Sequence, residues 1–541
     1  MELYPLQHTY STLTASPHGS IMEITTSNGT CTVFISSGRT TALTYALTIF
    51  GIGIAGCFLA YKIVHIPLQL EVTLLFTAIM FYPILRQPAT GVYLLFIIMP
   101  FISFLRRLYY LLHQRPGIDP LIATGDLLTI VTLTGLFFAF REERADQPVA
   151  PVVKNCITVY FFYLLLRVFF LNSLPLTEAI MRFRLYGPAV LLFFVGAHFS
   201  RNRTMLINLW KITIIIGLIG ALYGFKQLFI GYSVSEKLWF SSISFTTLFI
   251  KGFARPFSLF QSPAAFADYM QLSIVGSLIL FNMYRTVKRY LFLPLIALFF
   301  YGALITSVRS NWIGILLSLL VWFVVLAIRR NSRRLIAIFG LIAVFLVLQI
   351  FSDNTSGGGL ENVFEILGGG FNQQYMNLLV TERSSALSNP FEEYSFLSRI
   401  NLWRYIIELS ADPVMALLGR GVGVLNADSL YFTYLAEFGY PGMIFILWLV
   451  GYTIRKGLLF SGTFTDHTTV SLVKGITLMN IVFVVVNITG THIHAFPGDV
   501  FFWFWNGVLI AITSTPAAAA QPLKEPDFTG RTASTQQQDR P

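Results

Sequence analysis

The chain has 541 residues, of which 55% are hydrophobic and only 12% charged, and its mean hydropathy is +0.68. Soluble domains carry about 25% charged residues, so the composition excludes a soluble globular enzyme and indicates an integral membrane protein that crosses the bilayer many times. The net charge of +11 does not point to nucleic acid. The basic residues stand in short clusters between apolar runs, where positive charge sets membrane orientation, and they favour anionic lipid or a phosphate-bearing substrate as partner.

Residues 1–42 are polar and rich in Ser and Thr, and read as a loosely ordered tail without a cleavable signal peptide. Apolar segments of spanning length follow, since about 20 residues cross the hydrocarbon core. They fall near 43–64, 68–86, 89–105, 121–140, 152–171, 186–200, 205–230, 266–283, 291–308, 312–328, 335–351, 430–454, 472–490 and 498–515. The expected fold is therefore an all-α polytopic bundle of about 12–14 transmembrane helices. About eleven of them lie in 43–351 and the rest in 430–515, with one large external loop over 352–429. The Ala/Pro/Gln-rich stretch 516–541 reads as a disordered tail. Three cysteines, Cys31, Cys57 and Cys156, are too widely spaced to frame disulfides or a metal motif.

Orientation follows from the short loops. Arg141, Arg144, Lys154, Arg201, Arg203, Arg285, Lys288, Arg289, Arg329, Arg330, Arg333, Arg334, Arg455 and Lys456 all fall on one side under this segment order. By the positive-inside rule that side is cytoplasmic, both termini with it, and the 352–429 insert is external. Arg106, Arg107 and Arg115 depart from the pattern. The insert opens with glycine runs at 357–359 and 368–370, then shows apolar residues at roughly helical spacing from Ser398 to Leu409. That spacing predicts a short amphipathic helix on the membrane surface, ended by Asp412-Pro413. The run Gly419-Arg420-Gly421-Val422-Gly423 brings backbone close to either a neighbouring helix or a ligand. It has no preceding strand or βαβ context that would make it a nucleotide loop.

Four arginines stand at the external interface in this topology: Arg255, Arg309, Arg399 and Arg420. One arginine at a helix end commonly snorkels to headgroups. Four on one face suit bidentate binding of a phosphate or diphosphate and stabilisation of the charge on a departing diphosphate. Asp428 precedes a membrane helix and is read either as its cap or as a general base for a sugar hydroxyl. Glu437 lies nine residues further along and ranks below it. His492 and His494 flank one residue in the last external loop. They lack a third metal ligand, and serve better as acid/base or hydrogen-bonding groups.

Taken together, Arg399-x-x-x-Trp403, Asp412-Pro413, Leu418-Gly-Arg-Gly421-Val-Gly423, and Asp428-Ser429 followed by Gly439-x-x-Gly442 resemble the signature region of the O-antigen ligase/polymerase family of bacterial membrane glycosyltransferases. Arg309 in Ser-Val-Arg-Ser-Asn and Arg255 ahead of Pro-Phe-Ser are similar to the arginine turns of the same domain, so the likeness spans roughly 205–490. The resemblance implies a GT-C-like bundle in the bacterial inner membrane. Such a protein transfers glycan from an undecaprenyl-diphosphate-linked oligosaccharide to an acceptor sugar, with inversion and with neither metal nor cofactor. Arg309, Arg399 and Asp428 would be catalytic, with Arg255, Arg420, Glu437, His492 and His494 binding substrate. A flippase and a chain-length regulator of the same pathway would be partners. Ligases commonly carry His followed by Asn, Ser or Gln where Asp428-Ser429 stands. The Asp therefore favours a repeat-unit polymerase over a ligase that attaches polymer to a lipid or protein. A transporter of polysaccharide or lipid-linked glycan is the reading of a different class; it calls for inverted repeats and charges along a mid-helix path, neither of which the sequence carries.

Overall fold

The computed structural model describes residues 13–16, 19–26, 29–35, 79–113, 121, 124–142, 150–171, 175–242, 248–250, 253–284, 286–330, 394–423, 425, 427–460, 467–492 and 498–514. It divides into two compact units, Met1–Arg86 and Gln87–Pro541. The expected spans at 43–64 and 335–351, the insert up to 393, the tail 516–541 and His494 lie outside the described residues. The span at 68–86 is described from residue 79, as helix.

In the first unit, residues expected as a loose tail form an antiparallel meander of β1 (Leu13–Ser16), β2 (Gly19–Thr26) and β3 (Gly29–Ile35). The pairing runs from Leu13↔Met22 to Ser16↔Gly19 and from Ser20↔Ile35 to Thr26↔Gly29. The polarity of this stretch conceals its β-branched content. Ile21, Ile24, Thr25, Thr30, Thr32 and Val33 suit a pleated backbone.

Among the described residues, the second unit is helical apart from one small hairpin. In order, its helices are α1 (Pro88–Ile98), α2 (Ile102–His113), α3 (Thr124–Glu142), α4 (Pro151–Phe169), α5 (Leu176–Phe199), α6 (Arg203–Phe229) and α7 (Val234–Ser242). After the hairpin β4 (Phe249–Ile250) and β5 (Phe253–Ala254) come α8 (Pro263–Met283), α9 (Phe292–Leu304) and α10 (Arg309–Arg330). Then follow α11 (Tyr394–Leu409), α12 (Pro413–Leu418), α13 (Leu430–Leu459), α14 (His467–Val486) and α15 (Gly498–Ser514). Eight described helices are long and apolar enough to cross a membrane, so the chain is an all-α multi-pass membrane protein in its second unit.

The centre of the bundle is α8, α14 and α15, whose side chains are buried almost all the way round. Apolar residues on every face belong to a helix surrounded by other helices. Small residues set the closest approach: a Cβ on Gly196 of α5 would fall 1.9 Å from the Phe504 carbonyl oxygen of α15, and one on Gly507 1.9 Å from that of Phe193. Where hydrophobic burial does not separate protein from lipid, such backbone contact and buried amides hold helices together. Asn480 of α14 and Asn506 of α15 exchange side-chain hydrogen bonds of 2.9 and 3.1 Å.

The bonds described below tie one set of helix ends together. These are the C-termini of α4, α6, α9 and α14, and the N-termini of α5, α8, α10, α13 and α15. At the opposite end stand Arg201, Arg203, Lys288, Arg289, Arg330, Arg455 and Lys456.

Candidate functional site

The first arm of the site is built on the last turn of α6. The Gln227 side-chain oxygen accepts from the backbone N–H groups of Phe257 (3.0 Å) and Ser258 (2.7 Å), and its amide nitrogen donates to Glu236 at 2.5 Å. Glu236 also accepts from the Ser233 N–H (2.6 Å) and hydroxyl (2.9 Å) and pairs with Lys226 at 3.3 Å and Arg107 at 3.8 Å. Burial pushes the Glu236 carboxyl up, but the bonds from Gln227 and Ser233, with Lys226, outweigh it and hold the carboxyl below its ordinary value. Arg107 lies 4.7 Å above the Phe257 ring. Together these contacts brace the loop that bears Arg255. The Arg255 Nε donates to the Thr306 carbonyl at 2.8 Å. Thr306 opens the turn that leads into α10, of which Arg309 is the first residue. Arg255 and Arg309 therefore flank one turn.

That turn continues into a buried polar cluster. Asn311 donates to Asp268 at 2.7 Å and to Gln271 at 3.3 Å, and the other Asp268 oxygen lies 2.9 Å from the His492 Nδ1. Asp268, Asn311 and His492 are all buried. His492 follows the turn that ends α14, and that turn caps α13: the Leu430 N–H donates to the carbonyls of Asn487 (3.0 Å) and Gly490 (2.9 Å). The capping position of α13 is Ser429, and its side chain makes no cap bond. Asp428 is not the cap. It adopts φ 48, and its carboxylate lies 3.6 Å from the Arg399 Nε.

Arg399 is carried by α11, the expected amphipathic helix. Its apolar side packs on protein: Ile406, with Leu402 and Trp403, joins Ala427, Leu435 and Ala436 of the α13 region. The Trp403 ring stacks on Phe432 at 4.9 Å and its Nε1 donates to the Ala427 carbonyl at 2.9 Å. Leu397, Tyr405 and Ile407 remain exposed. Asp412 ends α11 as expected but also starts α12, accepting from the Val414 N–H at 3.0 Å.

The glycine run resolves in favour of a neighbouring helix. The Arg420 N–H donates to Ala436 (2.7 Å) and the Gly421 N–H to Glu437 (3.3 Å), both backbone carbonyls of α13. Gly419 and Gly439 adopt φ +66 and +67, and a Cβ on either would fall 2.5 and 2.4 Å from the other strand of backbone. At Gly439, followed by Pro441, α13 is broken into two helical pieces. Glu437 is buried between these parts and accepts from the Gly423 N–H at 2.7 Å and from the Tyr186 hydroxyl. It fastens the loop to the bundle. Arg167 supports the same loop, donating to the Leu418 (2.6 Å) and Gly419 (2.9 Å) carbonyls, and Arg182 donates to that of Val422. The Arg420 side chain is exposed.

Hydrogen bonds and short stretches of chain thus connect the segments of Arg255, Arg309, His492, Asp428 and Arg399. Among the described residues, no group of three or more His, Cys, Asp or Glu side chains is placed to hold a metal. Sequence reasoning missed Asp268, Asn311 and the loop supports Arg167, Arg182 and Tyr186. Asp268 had a signal, being an acid inside an apolar segment; the others had none beyond their polarity. No family model and no curated protein matches this chain.

Proposed function

We propose that this chain is a membrane glycosyltransferase of the O-antigen polymerase type, with a GT-C-like bundle, that joins glycan repeat units carried on undecaprenyl diphosphate. The observation that carries the reading is the convergence just described: Arg255 and Arg309 on two sides of one turn, bonded through Asn311, Asp268, His492 and the α13 cap to the segment of Asp428 and Arg399. A guanidinium group matches the geometry of phosphate oxygens and never loses its charge. Several of them at the mouth of a bundle stabilise the negative charge that grows on a departing diphosphate.

In this reading Arg255, Arg309 and Arg399 hold the diphosphate of the donor. The acceptor hydroxyl loses its proton to a base at the same end and attacks the anomeric carbon. The bond from that carbon to the diphosphate oxygen breaks, and its electron pair leaves with the lipid diphosphate. One displacement inverts the centre, and the activated donor supplies the driving force. The opposite end, rich in Arg and Lys, faces the cytoplasm of a bacterial inner membrane by the positive-inside rule, and the site faces outward. A flippase then delivers the donor and a chain-length regulator limits the product.

The test is incubation of purified protein with undecaprenyl-diphosphate-linked repeat units, without metal or nucleotide. Chains of increasing length on the lipid support the polymerase reading. Transfer of a single preformed glycan to a lipid or protein acceptor identifies a ligase instead. Absence of any glycan transfer refutes both.

A further inference from the structure

The proposed transfer requires an acceptor for the hydroxyl proton, and the site end offers Asp428, Glu437 and His492 among its titratable groups. Asp428 holds its carboxylate beside the Arg399 guanidinium at 3.6 Å. Glu437 is committed to Tyr186 and the Gly423 N–H. His492 is arranged differently.

We infer, on the footing of the function proposed above, that His492 is the proton acceptor of this site, with Asp268 as its positioning residue. The His492 Nδ1 lies 2.9 Å from the Asp268 carboxylate, which fixes a proton on Nδ1 and leaves the lone pair on Nε2. The second Asp268 oxygen is held by Asn311 at 2.7 Å, so the carboxylate cannot swing away. Asp268 is the charged group in contact with the ring; Asn311 and Gln271 are neutral. A buried carboxylate on the far nitrogen orients an imidazole and stabilises the imidazolium as it forms.

Nε2 points at Gly490. A Cβ there would fall 2.1 Å from it. Gly490 is half-buried and is not among the glycines with positive φ, so its backbone does not demand glycine. What glycine provides at this position is room for the His492 ring to pack against the backbone. The Gly490 carbonyl accepts from Leu430, two residues beyond Asp428, and Asn311 is two residues beyond Arg309. The base is thereby bonded into both sides of the arginine cluster. As the new bond to the anomeric carbon forms, the hydroxyl proton passes to Nε2. The carbon–oxygen bond to the diphosphate breaks, the diphosphate keeps the pair, and the imidazolium later gives its proton to water.

The experiment measures repeat-unit transfer by purified protein across pH with the undecaprenyl-diphosphate-linked donor, together with donor binding and melting temperature. His492→Gln lowers kcat about 10²–10⁴-fold while donor binding is retained, and free imidazole restores turnover to His492→Gly. Asp268→Asn lowers kcat with donor binding retained, and Asp268→Glu, which keeps a carboxylate for the ring, recovers part of the loss. Asp428→Asn, which loosens Arg399, raises donor KM and leaves the pH profile where it was. Wild-type transfer with an undiminished His492→Gln variant overturns the assignment of the base and leaves the arginine clamp standing, and so does an undiminished Asp268→Asn variant. Wild-type protein that transfers no glycan at all overturns the proposed function, and this inference with it.

Discussion

The two ends of the helical unit use the same residue type in opposite ways. At the end holding the candidate site, arginines are tied to acceptors: Arg107 to Glu236, Arg167 to carbonyls, Arg182 to Glu178 and Val422, Arg184 to Asp126, Arg255 to Thr306 and Arg399 to Asp428. At the other end Lys288 and Arg455 are exposed. There Arg289 lies over the Tyr290 ring at 4.7 Å and Lys456 over that of Tyr452 at 5.6 Å. A cation that only biases orientation needs no particular partner. A cation that must meet an anion at a set position needs its backbone and side chain held. The site end is distinguished by arginines held on carboxylates and backbone carbonyls.

The largest effect that tests this contrast is on turnover. Arg309→Ala and Arg399→Ala should each lower polymer formation about 100-fold or more at unchanged protein level, whereas Arg455→Ala at the other end stays within about twofold. Chain-length analysis of the three variants side by side checks it, and equal losses at both ends would erase the distinction. The next effect contrasts two glycines of α13. Gly439→Ala places a Cβ 2.4 Å from the Ala416 carbonyl at a positive φ, while Gly451 has nothing within 4 Å. The first change should cost on the order of 2–4 kcal/mol. The second should be neutral or stabilise by up to about 1 kcal/mol, both read as thermal unfolding in detergent.

A smaller effect is expected at Glu236. Its carboxyl is held below the ordinary range in the folded protein, so it contributes stability above the unfolded carboxyl value of about 4.3, and that contribution is lost as pH falls through the folded value. Glu236→Gln should therefore melt lower than wild type at pH 7 by an amount equivalent to about 1–3 kcal/mol, and the gap should close under acid. A gap that persists or widens at low pH would contradict the role given to the ionised carboxylate. The smallest effect belongs to the middle of the bundle, away from both ends. Asn480→Leu should cost about 0.6 kcal/mol, and adding Asn506→Leu should restore part of it, since the second amide is then no longer left without its partner.

Much of this was legible from residue order. The described spans fall where hydropathy places them, because a segment that crosses a bilayer must be about 20 residues of apolar chain whatever its neighbours are. The arginines of the site were legible as a set, since charge beside an apolar run stands out. Glu437 was not: its distance along the chain from Asp428 says nothing about Tyr186, 251 positions away, which together with Gly423 takes up its carboxylate. The meander at Leu13–Ile35 escaped notice because its many Ser and Thr residues lower the hydropathy while the β-branched pattern remains.

Sequence alone determined that the chain is a multi-pass helical membrane protein, where its described spans lie, and which loops concentrate positive charge. These follow from transfer of each segment between water and lipid, a property local to the segment. Tertiary structure decided which glycine meets which backbone, that Asp268 rather than a nearby residue orients His492, and that Asp428 pairs with Arg399. Those are contacts between helices distant in sequence, and only the packing of the bundle, through close backbone approach and buried hydrogen bonds, selects them.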